Sequence, residues 1–170
     1  MANNSCLVII SFIGVLLFTN NVASSTDVVS TICPKTSNPP FCSSVLKSAS
    51  TTDLKGLAVY TLNFAHTNAR KSLTVASSLA KTTLNPQLKQ RYSSCAESYD
   101  EAIGDIENAQ KDLVLGDFNG VNIVTSGAMT GIDDCQDKLA QPPKDTSLLL
   151  KNGKTLNDIC SIILVISNLL

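Results

Sequence analysis

The chemistry this chain could do rests first on its thiols. Its 170 residues include six cysteines and a single histidine, His66. Residues 32–42 read ICPKTSNPPFC, so Cys33 and Cys42 bracket a proline-rich turn, and Cys95, Cys135 and Cys160 follow at wide intervals. Thiols can ligate a metal, attack a substrate or pair as disulfides. A metal site needs close ligand pairs, which this spacing lacks, so no metal is expected. A nucleophile needs a base, and His66 lies between Ala65 and Ala69 on a helical stripe with no carboxylate partner evident in the sequence. The many Ser and Thr residues carry no nucleophile signature. The chain is therefore expected to have no catalytic residue and no cofactor, and its thiols point to disulfides.

Disulfides require an oxidising compartment, and the first residues supply one. MANNS is followed by CLVIISFIGVLLF, an uncharged run with the length of a signal-peptide core and too short to span a bilayer. Ala23, Ser24 and Ser25 offer small residues for cleavage before Thr26. Residues 1–25 are read as a signal peptide, and the protein as secreted. Cys6 leaves with that segment. The charged residues all lie beyond it, with a formal net charge of −1. No basic excess exists to neutralise phosphates, so nucleic acid is not an expected partner. A domain of this size buries roughly two thirds of its unfolded surface, enough for a real core.

Positioning the thiols falls to helices. Over residues 54–80, apolar and small positions recur at Leu54, Leu57, Ala58, Thr61, Leu62, Ala65, Ala69, Leu73, Ala76, Leu79 and Ala80, in steps of three and four. Asn85-Pro86 supplies an N-cap and a first-turn proline for the next helix. That helix carries the stripe Leu88, Tyr92, Cys95, Tyr99, Ile103, Ile106, Ala109 and Leu113, and an acidic outer face of Glu97, Asp100, Glu101, Asp105 and Glu107. Gly116 suits a left-handed C-cap. A third stripe follows: Phe118, Val121, Val124, Ala128, Ile132, Cys135 and Leu139. Gly127 and Gly131 beside it would let a neighbouring helix approach closely. Pro142-Pro143 stops it. A fourth helix is expected from near Thr155 to the C-terminus, and its uncharged tail from Ile159 is too short for a membrane span. No stretch alternates with period two long enough for a strand. The fold expected is all-α: an up-down-up-down four-helix bundle.

The bundle decides the pairing of the thiols. Cys95 and Cys135 are equidistant from the turn at Gly116, so in antiparallel helices they lie at one height, both on apolar stripes. A bridge there closes a loop of about forty residues and stabilises by roughly 3–4 kcal/mol in the chain-entropy model. Cys160, between Leu156 and Ile163 on the fourth stripe, reads as a buried free thiol. Cys33 and Cys42 are left. Pro34, Pro39 and Pro40 prevent residues 26–47 from forming a long fifth helix. Two short helices closed by a local bridge fit instead, because such an arm has little core of its own.

ICPKTSNPPFC, DLKGLA at 53–58, RYSSCAESYDEAI at 91–103, the cysteine at 135 and LNDICSIILVISNLL at the end together resemble the plant invertase/pectin methylesterase inhibitor family. The resemblance covers essentially all of residues 26–170, with five cysteines in matching order and spacing. It implies a four-helix bundle preceded by a disulfide-closed helical hairpin, with first-to-second and third-to-fourth cysteine bridges. Residues 26–50 would be the hairpin and 51–170 the bundle of a single inhibitor domain in the apoplast. Within the family the chain looks more like the pectin methylesterase inhibitors. The Pro-rich hairpin loop, RYSSCAESY and the closing LVISNLL carry that likeness. The Pro-Lys-Phe-type tripeptide often found in invertase inhibitors before the third helix is replaced here by GDFNGVN. Pectin methylesterase inhibitors often have Thr before the fourth cysteine, where this chain has Asp134.

What the resemblance implies is a non-covalent, one-to-one complex in which a helical face covers the pectin-binding cleft of a plant pectin methylesterase. Acid invertase is the alternative target. The residues expected to carry the contact flank the two stapled stripes: Glu97, Asp100, Glu101, Asn122, Ser126, Asp133 and Asp134. A reading of another class is a helical bundle that holds a lipid or small hydrophobic ligand in a cavity left by the small residues of its first and third helices.

Overall fold

The structure, a computed structural model, describes residues 25–170. The expected signal peptide lies outside the described residues except for Ser25. Six α-helices follow in order: α1 (Ser25–Ile32), α2 (Pro39–Lys47), α3 (Leu54–Thr82), α4 (Pro86–Leu115), α5 (Phe118–Ala140) and α6 (Leu149–Ser167), with a 3-10 turn (Cys33–Lys35) between the first two. No strand occurs among the described residues. Helices α3 to α6 form the up-down-up-down bundle, in which α6 packs on both α5 and α3 and closes the ring.

Local chemistry sets each joint. Asp53 caps α3 by accepting the Gly56 N–H at 2.8 Å. Asn85 accepts the Gln87 and Leu88 N–H groups, with Pro86 at the first position of α4, where its missing donor costs nothing. The α4–α5 turn is very short. Gly116 takes φ 78°, a left-handed conformation that a side chain would strain. Asp117 immediately caps α5 through the Gly120 N–H at 2.8 Å. A turn this tight forces α4 and α5 into antiparallel contact.

The last joint departs from expectation. α6 begins at Leu149 rather than near Thr155. Lys151 and Lys154 interrupt the apolar run and conceal the first turn, yet Leu149 is fully buried. Side chains fix that start: Ser147 Oγ accepts the Leu149 N–H, and Ser147 itself is held by Asp145. The preceding loop is gripped from α4, where the Arg91 guanidinium donates to the carbonyls of Gln141, Pro142 and Pro143.

The core alternates small and large residues. α3 contributes the fully buried Ala65, Ala69 and Ala76, and α6 contributes Leu156, Ile159, Ile162, Ile163 and Ile166, also fully buried. Alanines facing isoleucines let helices close to native packing density. The small residues of α3 therefore serve helix contact. Cys160 sits fully buried in the same layer.

Cys33 and Cys42 are bonded, with Cα atoms 5.4 Å apart, and so are Cys95 and Cys135, at 4.8 Å. The first bond closes the arm formed by α1, the 3-10 turn and α2. Asn38 caps α2 through the Phe41 N–H. Ile32 and Leu46 are buried.

Candidate interaction surface

The Cys95–Cys135 bond locks α4 to α5, and a groove runs along the outside of this pair. Its floor is made of small residues: Ser98 and Ala102 from α4, Gly127, Ala128 and Gly131 from α5. The close approach is tight at Gly127 and ordinary at Gly131. A Cβ at Gly127 would lie 3.1 Å from Asp105 Oδ2, and one at Gly131 would lie 3.7 Å from the Ser98 carbonyl. With the floor so shallow, the longer side chains of Glu101, Asp105, Thr130 and Asp134 form the lips of a groove of about 350 Å³.

The groove is acidic. Its lining holds three carboxylates and no cation. Lys138, one turn beyond Asp134, is turned away, its Nζ donating to Ser94 Oγ at 2.7 Å. Partial burial raises the Asp105 carboxyl above the usual range, and the neighbouring charge of Glu101 adds to the effect. Such a groove accepts hydrogen bonds and positive charge, and its lining has no cation of its own to neutralise the carboxylates.

The seven residues expected at the contact do not form one patch. Glu101 and Asp134 meet in the groove. Glu97 is exposed one turn from Glu101. Asp100 is exposed on the other flank of α4, two helical turns from Glu107, which faces α3. Ser126 is exposed, its hydroxyl donating to the Asn122 carbonyl. Asn122 and Asp133 lie on the α5–α6 seam. Asn122 Nδ2 donates to Ser167 Oγ and Asn168 Oδ1 at 3.0 and 3.2 Å, and Asp133 accepts from Asn157 and Gln136. Of the residues at the groove's lips, Asp105 and Thr130 are the two not among those expected from the sequence. The four-residue spacings Glu101–Asp105 and Gly127–Gly131 were the available signal, since each places two residues on one helix flank.

His66 has a partner the sequence did not reveal. Its Nε2 lies 3.1 Å from Glu107 Oε1 across α3 and α4. The shallow groove around them is lined by Gln110, Lys111, Val114 and Leu115, none of which offers a hydroxyl or thiol. The Cys160 thiol is pushed up to about 12 by burial, which leaves it protonated and inert. Among the described residues no cluster of three or more His, Cys, Asp or Glu side chains could hold a metal. No helix there is long and apolar enough to cross a membrane.

Residues 27–166 match the family described as plant invertase/pectin methylesterase inhibitor. The chain belongs to this family. Among curated relatives, the pectinesterase inhibitor of Actinidia deliciosa is 37% identical over 169 residues, covering 98% of this chain and 91% of the relative. Pectinesterase inhibitor 1 of Arabidopsis thaliana is 35% identical, covering 100% of this chain and 96% of the relative. A Platanus acerifolia protein named as an invertase inhibitor is 28% identical, covering 95% and 94%. The crystal structure of a mutant form of an Arabidopsis pectin methylesterase inhibitor superposes with a TM-score of 0.79 at 37% identity, covering 84% of this chain and 96% of that one. The helical architecture and both disulfides thus belong to a chain of this inhibitor family, and the acidic α4–α5 groove is the feature to be weighed as its contact surface.

Proposed function

We propose that the protein is secreted to the apoplast and inhibits a plant pectin methylesterase without any catalysis of its own. It does so by forming a one-to-one, non-covalent complex that covers the enzyme's pectin-binding cleft. Supporting the choice of target, relatives named pectinesterase inhibitors are 35–37% identical over nearly the whole chain. Those named invertase inhibitors are 26–28% identical.

The observation that carries the mode of action is the unpaired acidic groove held beside a disulfide. An enzyme that converts methyl esters to free carboxylates must hold an anionic polymer product in its cleft. The lips of this groove, with Glu101, Asp105 and Asp134, offer that cleft similar charge on a rigid body. Rigidity lowers the ordering cost of association, and charge complementarity speeds encounter and fixes register. Glu97 and Ser126 lie at the margin of this surface. Asn122 and Asp133 act mainly by holding α5 against α6, and Asp100 belongs to the α3 flank.

Competition tests the mode. Preincubating the esterase with demethylated pectin oligomers should slow onset of inhibition in proportion to cleft occupancy. Inhibition unaffected by saturating oligomer would place the contact away from the cleft and remove the covering mechanism. Acid invertase is the second target to assay, because two relatives carry that name.

A further inference from the structure

Charge is unevenly divided between the first two bundle helices. Helix α3 carries Lys55, Arg70, Lys71 and Lys81 and no Asp or Glu, whereas α4 carries the acidic outer face. Arg70, Lys71 and Lys81 are exposed, and none has an ion-pair partner among the described residues. Tyr60, Phe64, Thr67, Lys71, Thr74 and Ser78 follow one another in steps of three and four, so they form a row along one flank of α3. The row begins with an aromatic pair. Tyr60 and Phe64 are half-buried, their rings 14° from parallel with centroids 6.4 Å apart. Arg70 and Lys81 border the row, about three helical turns from each other. Lys89 of α4 adds a cation at the same end. It precedes Glu107, which meets His66 of α3, by about five full turns and so lies on the same flank. Helix α3 packs on α4 and α6 and lies diagonally across the bundle from α5, which sets the row apart from the α4–α5 groove.

We infer that this flank of α3 is a second binding surface, for a chain of uronate sugars such as demethylated pectin, and that it stays open while the α4–α5 groove engages the esterase. The choice of polymer rests on the proposed target, whose product is such a chain. An acidic polysaccharide presents three kinds of group, and the row meets each. Its carboxylates meet Arg70, Lys71 and Lys81, the guanidinium binding in a two-pronged fashion and the lysines as point charges. No carboxylate on α3 competes for them, and a patch of one sign steers an anionic chain toward it. Its hydroxyls meet Thr67 and Thr74, which donate to the Asn63 and Arg70 carbonyls and keep lone pairs free to accept. The apolar C–H face of a pyranose covers a flat aromatic ring, and Tyr60 and Phe64 offer two nearly parallel ones. From Tyr60 to Lys81 the helix rises by about 30 Å, which suits an extended polymer better than a compact ligand. A plain polyanion would use the cations alone.

The test is binding of fluorescently labelled galacturonate oligomers to the oxidised protein at low salt, read by anisotropy with no esterase present. Binding should saturate and weaken as salt is added. Arg70→Gln with Lys71→Gln should weaken it at least tenfold with unchanged circular dichroism. Phe64→Leu, which keeps apolar bulk but loses the flat ring, should weaken it about threefold. Lys144→Gln with Lys151→Gln makes the same charge change elsewhere on the surface and should leave affinity within twofold. Polyglutamate of similar length should bind at least tenfold more weakly than the sugar chain. Inhibition of the esterase is assayed separately, and the Arg70, Lys71 double variant should inhibit as the unchanged protein does. Loss of the target would thus show in that assay alone, and loss of the α3 surface in oligomer binding alone. No binding at low salt, equal weakening by the two lysine-containing pairs of substitutions, or equal affinity for polyglutamate would overturn the proposal.

Discussion

The Tyr92 hydroxyl of α4 donates to the buried Asp145 carboxylate at 2.7 Å, and through that bond the loop before α6 is tied to the stapled helix pair. Asp145 also accepts from the Ser147 N–H and hydroxyl, and Ser147 Oγ accepts the Leu149 N–H. One phenol therefore anchors the chain of bonds that starts α6. A second, Tyr99, reaches the Leu149 carbonyl at 3.4 Å.

These two tyrosines predict a loss of stability in alkali. Burial, joined at Tyr92 by the bond to Asp145 and its charge, raises both phenols to about 12 from an ordinary value of 10. Above pH 10 the unfolded chain releases these protons first, so unfolding is favoured progressively as pH rises to about 12. Urea midpoints measured from pH 9 to 12 should fall across this window. In the double variant Tyr92→Phe, Tyr99→Phe the slope should be shallower, from a lower starting stability.

The Cys95–Cys135 bond should carry much of the folding free energy. It spans a sequence separation of 40 residues. Cys95→Ser with Cys135→Ser should cost about 3–4 kcal/mol in the chain-entropy model, lowering Tm by about 10 °C. Calorimetry on the variant, with Cys33–Cys42 intact, checks this. An unchanged Tm would show that helix packing alone sets the register of α4 and α5.

Groove charge should matter more than the rest of the acidic face. Glu101→Lys with Asp134→Lys should weaken esterase inhibition at least tenfold with unchanged circular dichroism. Glu97→Lys with Asp100→Lys should weaken it less, because Asp100 lies on the other flank of α4. Inhibition constants for the two pairs check the order, and equal effects would argue for long-range charge rather than groove contact.

Thr125 gives a stabilising prediction. Its side chain is fully buried in α5, and its Oγ1 has no hydrogen-bond partner. A buried hydroxyl without a partner costs on the order of 1–3 kcal/mol, so Thr125→Val, of similar shape, should raise stability by about 1 kcal/mol. Denaturant midpoints decide it, and a destabilised variant would reveal a bond to water.

Much of the fold could be read from residue spacing. The stripe through Tyr92, Cys95 and Tyr99, the cap at Asn85-Pro86 and the glycine at 116 each act within a few residues, and local rules suffice for them. The start of α6 could not be read this way, because the Leu149 carbonyl is met by Tyr99, distant in sequence, and its N–H by Ser147, hidden among polar neighbours. Asp158 illustrates the same limit: in sequence it merely breaks an apolar run, while in space it receives Ser37 and Asn38 from the far end of the chain. For the candidate surface, Glu101 and Asp134 were legible as polar residues flanking apolar stripes. Their separation from Asn122, Asp133 and Asp100 depends on which neighbour each helix flank meets, and that is set by tertiary packing. His66 and Glu107 came together for the same reason.

The account rests on one-to-one inhibition of a pectin methylesterase. Its most direct test is titration of oxidised residues 26–170 against that enzyme at pH 5–6, with acid invertase assayed in parallel. The prediction is a linear loss of esterase activity that reaches its end near one equivalent, with invertase untouched. Full esterase activity in the presence of excess folded protein with both disulfides verified would contradict it.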